Sequence, residues 1–179
     1  MNIWHDIDSS RITRKDFEAV IEISKGSKMK YELDKETGLL KLDRVLHTST
    51  HYPANYGFIP KTYADDNDPL DVLVLCSEQI EPMALVRCYP IGVISMMDGG
   101  HADDKIIAIP FNDPNYNHFT DIDQLPSHLF SEMRHFFTCI FFEHRFRNIP
   151  AYKGNSCAVS HFYRVNLSCS IHCINNFIF

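Results

Sequence analysis

The feature that most limits the fold of this chain is a series of short apolar runs, each bounded by turn-forming residues. Apolar and polar residues alternate over residues 17–23, which is the period of a half-buried strand. Further short runs, separated by Gly, Pro, Asp or Ser, occupy residues 29–33, 39–45, 72–75, 91–94 and 105–109. All fall well short of the roughly 20 apolar residues that a membrane-spanning helix needs. The pattern predicts a domain built mainly from short strands.

Helical spacing occurs late in the chain. The apolar residues that this spacing places on one face are Leu129, Phe130, Met133, Phe136 and Phe137. Ser127, which follows Pro126, is the expected N-cap of this helix. Many short strands followed by a helix indicate an α+β protein, with a small closed, OB-like β-barrel of antiparallel strands and flanking helices.

The acidic net charge limits the kinds of molecule that this protein is expected to bind. The net charge of -6 argues against a nucleic-acid-binding module, which usually carries a basic face. An acidic chain can still bind a polyanion when divalent cations stand between the two. The six cysteines show neither a CxxC pair nor a zinc spacing with histidine, which predicts free thiols. The chain begins without a basic leader or an apolar signal core, so we expect a cytoplasmic protein with no membrane partner.

The strongest chemical signal is the segment 65–72, Asp-Asp-Asn-Asp-Pro-Leu-Asp-Val. Its carboxylates at Asp66, Asp68 and Asp71 lie on a tight turn that leads into a buried strand. Carboxylates this close repel one another unless water or cations neutralise them, and hard oxygen ligands suit Mg²⁺ or Mn²⁺. A solvated acidic turn is the alternative. A calcium loop is disfavoured because Asp71 and Ser77 stand where such a loop needs Gly and Glu.

The wider pattern around this segment resembles the signature of the family I soluble inorganic pyrophosphatases of the bacterial type. Segments that continue the resemblance in order are 22–23, 30–34, 43–44, 52–60, 86–93 and 97–105, and together they cover roughly residues 15–138. The resemblance implies an inorganic diphosphatase that hydrolyses pyrophosphate to two phosphates with Mg²⁺, or with Mn²⁺ or another divalent cation. It also implies a homo-oligomer, often a hexamer in bacteria.

The resemblance assigns roles to individual residues. The catalytic set is Asp68, Tyr56, Arg44 and Lys30. The substrate-binding set is Lys30, Arg44, Tyr56 and Lys105. The metal-binding set is Asp66, Asp71, Asp98, Asp103, Glu22 and Glu32. In such a site magnesium offsets the charge of the substrate and acidifies a water molecule, while Asp68 accepts or orients its proton. Each residue alone also fits a structural role; Asp43 and Arg44, for example, could form a surface ion pair of little energetic weight.

The sequence departs from the family pattern at two places. Gly99 follows Asp98 where many members carry an acidic residue. Ile140-Phe141 stands where members usually carry a Tyr-Lys pair that binds the electrophilic phosphate, and neither side chain can donate a hydrogen bond. Tyr152-Lys153 offers the same dipeptide about twelve residues later.

The composition changes at about residue 139. Of the 23 acidic residues, Glu143 alone follows that point, whereas four of the six cysteines lie at or beyond it. We therefore divide the chain into a pyrophosphatase-like catalytic domain, residues 1–138, and an atypical tail, residues 139–179, that is out of frame or replaced. Besides a nucleic-acid-binding barrel, against which the charge balance argues, two alternatives to an active or impaired pyrophosphatase remain. They are a catalytically dead metal- and phosphate-binding protein of the same fold, and a magnesium phosphohydrolase that acts on another phosphoanhydride.

Overall fold

The computed structural model describes residues 3, 6–64, 68–98, 101–146 and 166–168, of which 98, 101, 141–146 and 166–168 are described by their backbone alone. The strands are β1 Phe17–Ile23, β2 Met29–Leu33, β3 Leu40–Val45, β4 Asn55–Phe58, β5 Asp71–Val74, β6 Leu85–Ser95, β7 Met97–Asp98, β8 His101–Ala102, β9 Lys105–Pro110 and β10 Asn166–Ser168. The helices are α1 Ser127–Phe146 and two 3-10 turns, Ser9–Arg11 and Ile122–Gln124.

Five of these strands close into a barrel in the order β1, β4, β5, β9, β6, and β6 pairs back onto β1. The α+β barrel predicted from the sequence is therefore confirmed. The prediction that its strands are antiparallel was wrong for one pair, because β5 and β9 run parallel while the other barrel pairings are antiparallel. The apolar period of a strand shows which face is buried and carries no information on the direction of its neighbour.

A ribbon of β2 and β3 and a short β7–β8 pair stand outside the barrel. The turn that joins β2 to β3 is closed by backbone hydrogen bonds, from Gly38 N to Asp34 O at 2.8 Å and from Asp34 N to Leu39 O at 2.8 Å. Gly38 has φ of 71°, in the left-handed region that glycine adopts without strain. The ribbon therefore has a fixed tip. Strand β10 pairs antiparallel with the end of β6.

Strand alternation produces two apolar layers. Val72 and Ile106 belong to a cluster inside the barrel. Leu73 and Ile107, their neighbours along the same strands, belong to a second cluster on the outer face. Helix α1 covers that outer cluster with Met133, Phe136 and Phe137. Asp71 and Lys105 have the same strand parity as Leu73 and Ile107, so strand geometry places them on the face that α1 covers.

Helix α1 confirms the predicted helix, and its boundaries differ from the prediction. Ser127 is the first helical residue rather than the cap, and the helix continues through residue 139 to Phe146. The predicted change of composition therefore falls inside this helix. Among the residues that the structure describes, no helix is long and apolar enough to cross a membrane. The described cysteines, Cys76, Cys88 and Cys139, are free.

Asp113 joins the loop after β5 to the loop after β9. Its carboxylate accepts hydrogen bonds from Ser77 N at 2.7 Å, from Ser77 Oγ at 3.2 Å and from Asn115 N at 2.9 Å. The residue is buried. Burial raises the pKa of Asp113, but the backbone N–H groups of Ser77 and Asn115 outweigh it and hold the pKa below its ordinary value of 3.8. The ionised carboxylate is therefore part of the folded structure.

Replacing Asp113 with asparagine is expected to lower the free energy of unfolding at pH 7 by about 1–3 kcal/mol, because the amide cannot accept this set of hydrogen bonds. The folded pKa is depressed, so the stabilisation is present above the unfolded pKa and is lost as pH falls through the folded pKa. The decline in stability below about pH 4 should therefore be shallower in the variant. Urea unfolding across this pH range, with the exposed Asp123→Asn as control, measures both effects. Equal acid slopes in the Asp113 variant and the unchanged protein would contradict the assignment.

Candidate functional site

A cavity of about 420 Å³ lies on the outer face of the barrel, between the β2–β3 ribbon and helix α1. Nine of the residues singled out from the sequence line it: Glu22, Lys30, Glu32, Arg44, Tyr56, Asp68, Asp71, Asp103 and Lys105. Asp66 lies outside the described residues. The backbone of Asp98 lies in β7, and its side chain is outside the described part of the structure. The fold thus brings together residues from four barrel strands, the ribbon and two loops.

Lys105 is at the centre of the described site. Its ammonium donates to Asp71 Oδ2 at 2.6 Å and to Asp103 Oδ1 at 2.7 Å, and 5% of its side chain is exposed. The parallel pairing of β5 with β9 sets Asp71 opposite Lys105. Burial lowers the pKa of Lys105, but the charges of Asp71 and Asp103 outweigh burial and raise it. The lysine therefore stays charged between its two carboxylates.

Tyr56 adds a hydroxyl donor to the same group. Its hydroxyl lies 2.5 Å from Asp71 Oδ2 and donates to it. Burial raises the pKa of Tyr56 well above its ordinary value, and the nearby charge of Asp71 adds to the rise. The ring also lies beside the ammonium of Lys105, 5.6 Å from its centroid. Tyr56 is thus a protonated donor at the wall of the cavity rather than only a packed turn residue.

Glu22 reaches the cavity from a bulge in β1. Ile21 is opposite Gly57 and Ile23 is opposite Tyr56, so Glu22 is the extra residue between them. Its carboxyl accepts from Leu33 N at 2.7 Å, which joins the barrel to the ribbon. Burial raises the pKa of Glu22 to about 8, the hydrogen bond from Leu33 opposes the rise, and the negative charges of Asp71 and Glu32 add to it.

The ribbon presents two cations to the cavity. Lys30 is opposite Arg44, and Asp43 is the extra residue of a bulge in β3. Arg44 Nη1 lies 2.6 Å from Asp43 Oδ2, and Lys30 Nζ lies 2.5 Å from Glu32 Oε1 and 3.4 Å from Asp43 Oδ2. The ion pair that the sequence allowed between Asp43 and Arg44 is formed, and Arg44 also lines the cavity.

Nine residues that line the cavity were not predicted as site residues, and among them are Lys35 and three residues of helix α1. The ammonium of Lys35, in the turn after β2, donates to Asp68 Oδ1. Helix α1 supplies an apolar side with Phe136, Phe137 and Ile140. A lysine in a polar turn gives no sequence signal that separates it from a solvated charge. The helical period did predict that Phe136 and Phe137 are buried. Ile140, at one of the two positions where the sequence departs from the family pattern, faces the cavity without a polar group.

The described lining combines opposite charges in one space. It contains five carboxyl groups, from Glu22, Glu32, Asp68, Asp71 and Asp103, and four cationic groups, from Lys30, Lys35, Arg44 and Lys105. Within the described residues, no three His, Cys, Asp or Glu side chains form a group that could hold a metal ion. Asp71 and Asp103 meet at Lys105 instead. Such a lining can bind a compact polyanion through its cations and offers hard oxygen donors beside it.

The known proteins that this chain resembles are inorganic pyrophosphatases. The family model described as inorganic pyrophosphatase matches residues 19–150. The chain is 55% identical over 134 residues to a soluble inorganic pyrophosphatase of Solanum tuberosum, covering 75% of this chain and 64% of that protein. It is 53% identical to a soluble inorganic pyrophosphatase of Chlamydomonas reinhardtii, covering 75% of this chain and 70% of that protein. The chain therefore spans less than two thirds of the length of the Solanum relative.

Solved structures resemble the fold over a similar share of the chain. The inorganic pyrophosphatase of Thermus thermophilus superposes with a TM-score of 0.76 at 36% identity, covering 82% of this chain and 84% of that one. The inorganic pyrophosphatase of Helicobacter pylori gives a TM-score of 0.70 at 42% identity, covering 74% and 79%.

Proposed function

Because this chain belongs to the inorganic pyrophosphatase family, we propose that it hydrolyses inorganic pyrophosphate to two phosphates. The observation that carries the proposal is the single cavity in which nine of the expected site residues meet. The chain covers 64% of the length of the Solanum relative, so the activity is proposed for the residues present here.

Binding of the polyanion falls to the cations of the cavity. Lys30 and Arg44 project from the ribbon, and Lys105 lies opposite them on β9. Charge-assisted hydrogen bonds from these groups hold phosphate oxygens and stabilise the charge that develops on the leaving phosphate. The Tyr56 hydroxyl, which burial keeps protonated, donates from the same wall. These four residues are the proposed substrate-binding set.

Carboxylate oxygens are the donors that a hard divalent cation such as Mg²⁺ or Mn²⁺ prefers, and this chemistry supports a metal role for the acidic residues of the cavity. Carboxylate oxygens of Glu22, Glu32, Asp71 and Asp103 line the cavity, and Asp66 and Asp98 complete the proposed ligands. When bound, such ions neutralise the charge of pyrophosphate and lower the pKa of a water molecule. The ammonium of Lys105 lies between Asp71 and Asp103, so both carboxylates already face positive charge, which supports their proposed role beside a cation.

Asp68 is the proposed general base. It lines the cavity, and 59% of its side chain is exposed, so water reaches its carboxylate. A carboxylate within hydrogen-bond reach of a water molecule takes up the proton that the water loses when it attacks phosphorus. The water oxygen forms the new bond to phosphorus, and the bridging oxygen leaves with the second phosphate. No covalent enzyme intermediate is required.

Phosphate release from pyrophosphate by the purified chain, with magnesium and with a chelator, tests the proposal. We expect release from pyrophosphate that depends on magnesium, and little release from ATP in parallel assays. Release from ATP in preference to pyrophosphate would instead indicate a phosphohydrolase of other specificity. Absence of release from either substrate, with metal still bound by calorimetry, would contradict the proposal and indicate a member of the family that binds without turnover.

The remaining proposals concern the whole protein. We propose a cytoplasmic location and assembly into a homo-oligomer, a hexamer by resemblance to bacterial members, without nucleic-acid or membrane partners.

We also propose that residues 139–179 are an altered ending, supported by the loss of acidic residues there. The family model matches up to residue 150, so this change begins inside the matched region. Resequencing the gene tests this proposal, because a family-like ending in another reading frame is expected.

A further inference from the structure

Lys35 occupies a fixed position at the tip of the β2–β3 ribbon. The backbone hydrogen bonds that close the turn, between Asp34, Gly38 and Leu39, lie on both sides of it. Asp34 Oδ1 also accepts from Glu36 N at 3.0 Å. The backbone is held at these points, and the side chain of Lys35 lines the cavity.

The ammonium of Lys35 contacts Asp68, the proposed general base. Both side chains are open to water, with 54% of Lys35 and 59% of Asp68 exposed. An ion pair with this exposure contributes little to stability, so the two groups separate at small cost. The ion pair therefore places the Lys35 ammonium beside Asp68 but can be broken at small cost in free energy.

The other cavity cations are more deeply held. Lys105 is 5% exposed between two carboxylates, and Arg44 is 14% exposed beside Asp43. Lys30 is 27% exposed and contacts both Glu32 and Asp43. Of the four cationic groups that line the described cavity, Lys35 has the most exposed side chain. It is the one best able to follow an anion that enters.

We propose that Lys35 is a further substrate-binding residue, whose ammonium leaves Asp68 and binds an oxygen of pyrophosphate at the mouth of the cavity. The inference rests on the proposed function. An entering polyanion competes with the Asp68 carboxylate for the ammonium, and the exchange leaves that carboxylate able to contact water. Lys35 also adds a cationic contact to a cavity in which Ile140 supplies none.

Calorimetric binding of methylenediphosphonate in the presence of magnesium tests this role, because this analogue of pyrophosphate resists hydrolysis. The variants are Lys35→Gln, which removes the charge, and Lys35→Arg, which keeps it. Lys41→Gln is the matched control, since Lys41 is an exposed lysine of the same ribbon that does not line the cavity. We expect Lys35→Gln to weaken binding roughly tenfold, while Lys35→Arg and Lys41→Gln stay within about threefold of the unchanged chain.

Steady-state kinetics with pyrophosphate separate binding from an indirect role. Loss of a contact made equally in the ground and transition states raises KM and leaves kcat unchanged. We expect Lys35→Gln to show this pattern. A change in kcat with unaltered affinity for methylenediphosphonate would overturn the proposal, because Lys35 would then act only through Asp68.

The binding readout also separates this inference from the proposed function. If the unchanged chain binds the diphosphonate and Lys35→Gln weakens that binding, the inference stands even if no variant releases phosphate, and hydrolysis is what fails. If the unchanged chain releases phosphate and Lys35→Gln binds the analogue with unaltered affinity, the inference fails alone. Failure of the unchanged chain to bind the diphosphonate would overturn the inference as well.

Discussion

Replacing Asp68 with asparagine is expected to lower kcat for pyrophosphate by roughly 100- to 10,000-fold. The amide keeps the shape of the side chain and cannot accept the proton of the attacking water. Stability should change by less than about 0.5 kcal/mol, because the ion pair with Lys35 is exposed. KM should stay the same or fall, since Lys35 no longer has the Asp68 carboxylate as a competitor for phosphate oxygens.

The measurement is phosphate release at saturating magnesium, with urea unfolding of the same samples. Asp123→Asn is the matched control. It removes the same charge from an exposed side chain that does not line the cavity. The control should keep the kcat of the unchanged chain. An Asp68 variant that retained more than a tenth of kcat would exclude this residue as general base. A variant that lost kcat only together with unfolding would show a structural role.

The short apolar runs and the turn residues between them predicted several strands, although β1 is buried on both faces rather than half-buried as its alternation predicted. Residues 17–23 and 29–33 form β1 and β2 as expected, and residues 105–109 form most of β9. Strand β4 was not predicted as a strand, because Asn55–Phe58 is four residues long and contains Gly57, a residue depleted in strands. Strand β6 extends from Leu85, well before the predicted start at residue 91, because its first half pairs with β1 although its side chains are partly exposed.

The contacts within the candidate site could not be predicted from the spacing of residues along the chain. Asp71 and Lys105 are far apart in sequence, and their contact follows from the parallel pairing of β5 with β9. Family resemblance identified both as site residues. Sequence patterns alone did not predict that the two side chains contact each other. The bulge at Glu22 and the contact between Lys35 and Asp68 depend on strand register and turn geometry. Both are tertiary features, which the presence of a polar residue in the sequence does not predict.

Gly57 links the fold of the barrel to the geometry of the cavity. It lies opposite Ile21, next to the bulge that presents Glu22. A Cβ atom at Gly57 would lie 1.9 Å from the carbonyl oxygen of Val20 and 2.9 Å from Ile21 Cα. These are backbone atoms, so a change of side-chain rotamer cannot relieve the overlap. A side chain at this position requires β1 and β4 to move apart where they pair.

Replacing Gly57 with alanine is therefore expected to lower the free energy of unfolding by about 4 kcal/mol or more, a large share of the total stability of a domain of this size. Gly92→Ala is the control, because its added Cβ would meet only side-chain atoms, 2.7 Å from Cδ1 and 3.0 Å from Cβ of Ile122, and should cost about 1–3 kcal/mol. Urea unfolding of both variants measures the difference. Since movement of β1 displaces Glu22, any Gly57 variant that still folds should also bind magnesium more weakly than the Gly92 variant. A smaller loss of stability at Gly57 than at Gly92 would mean that β1 and β4 do not approach as closely as their pairing indicates.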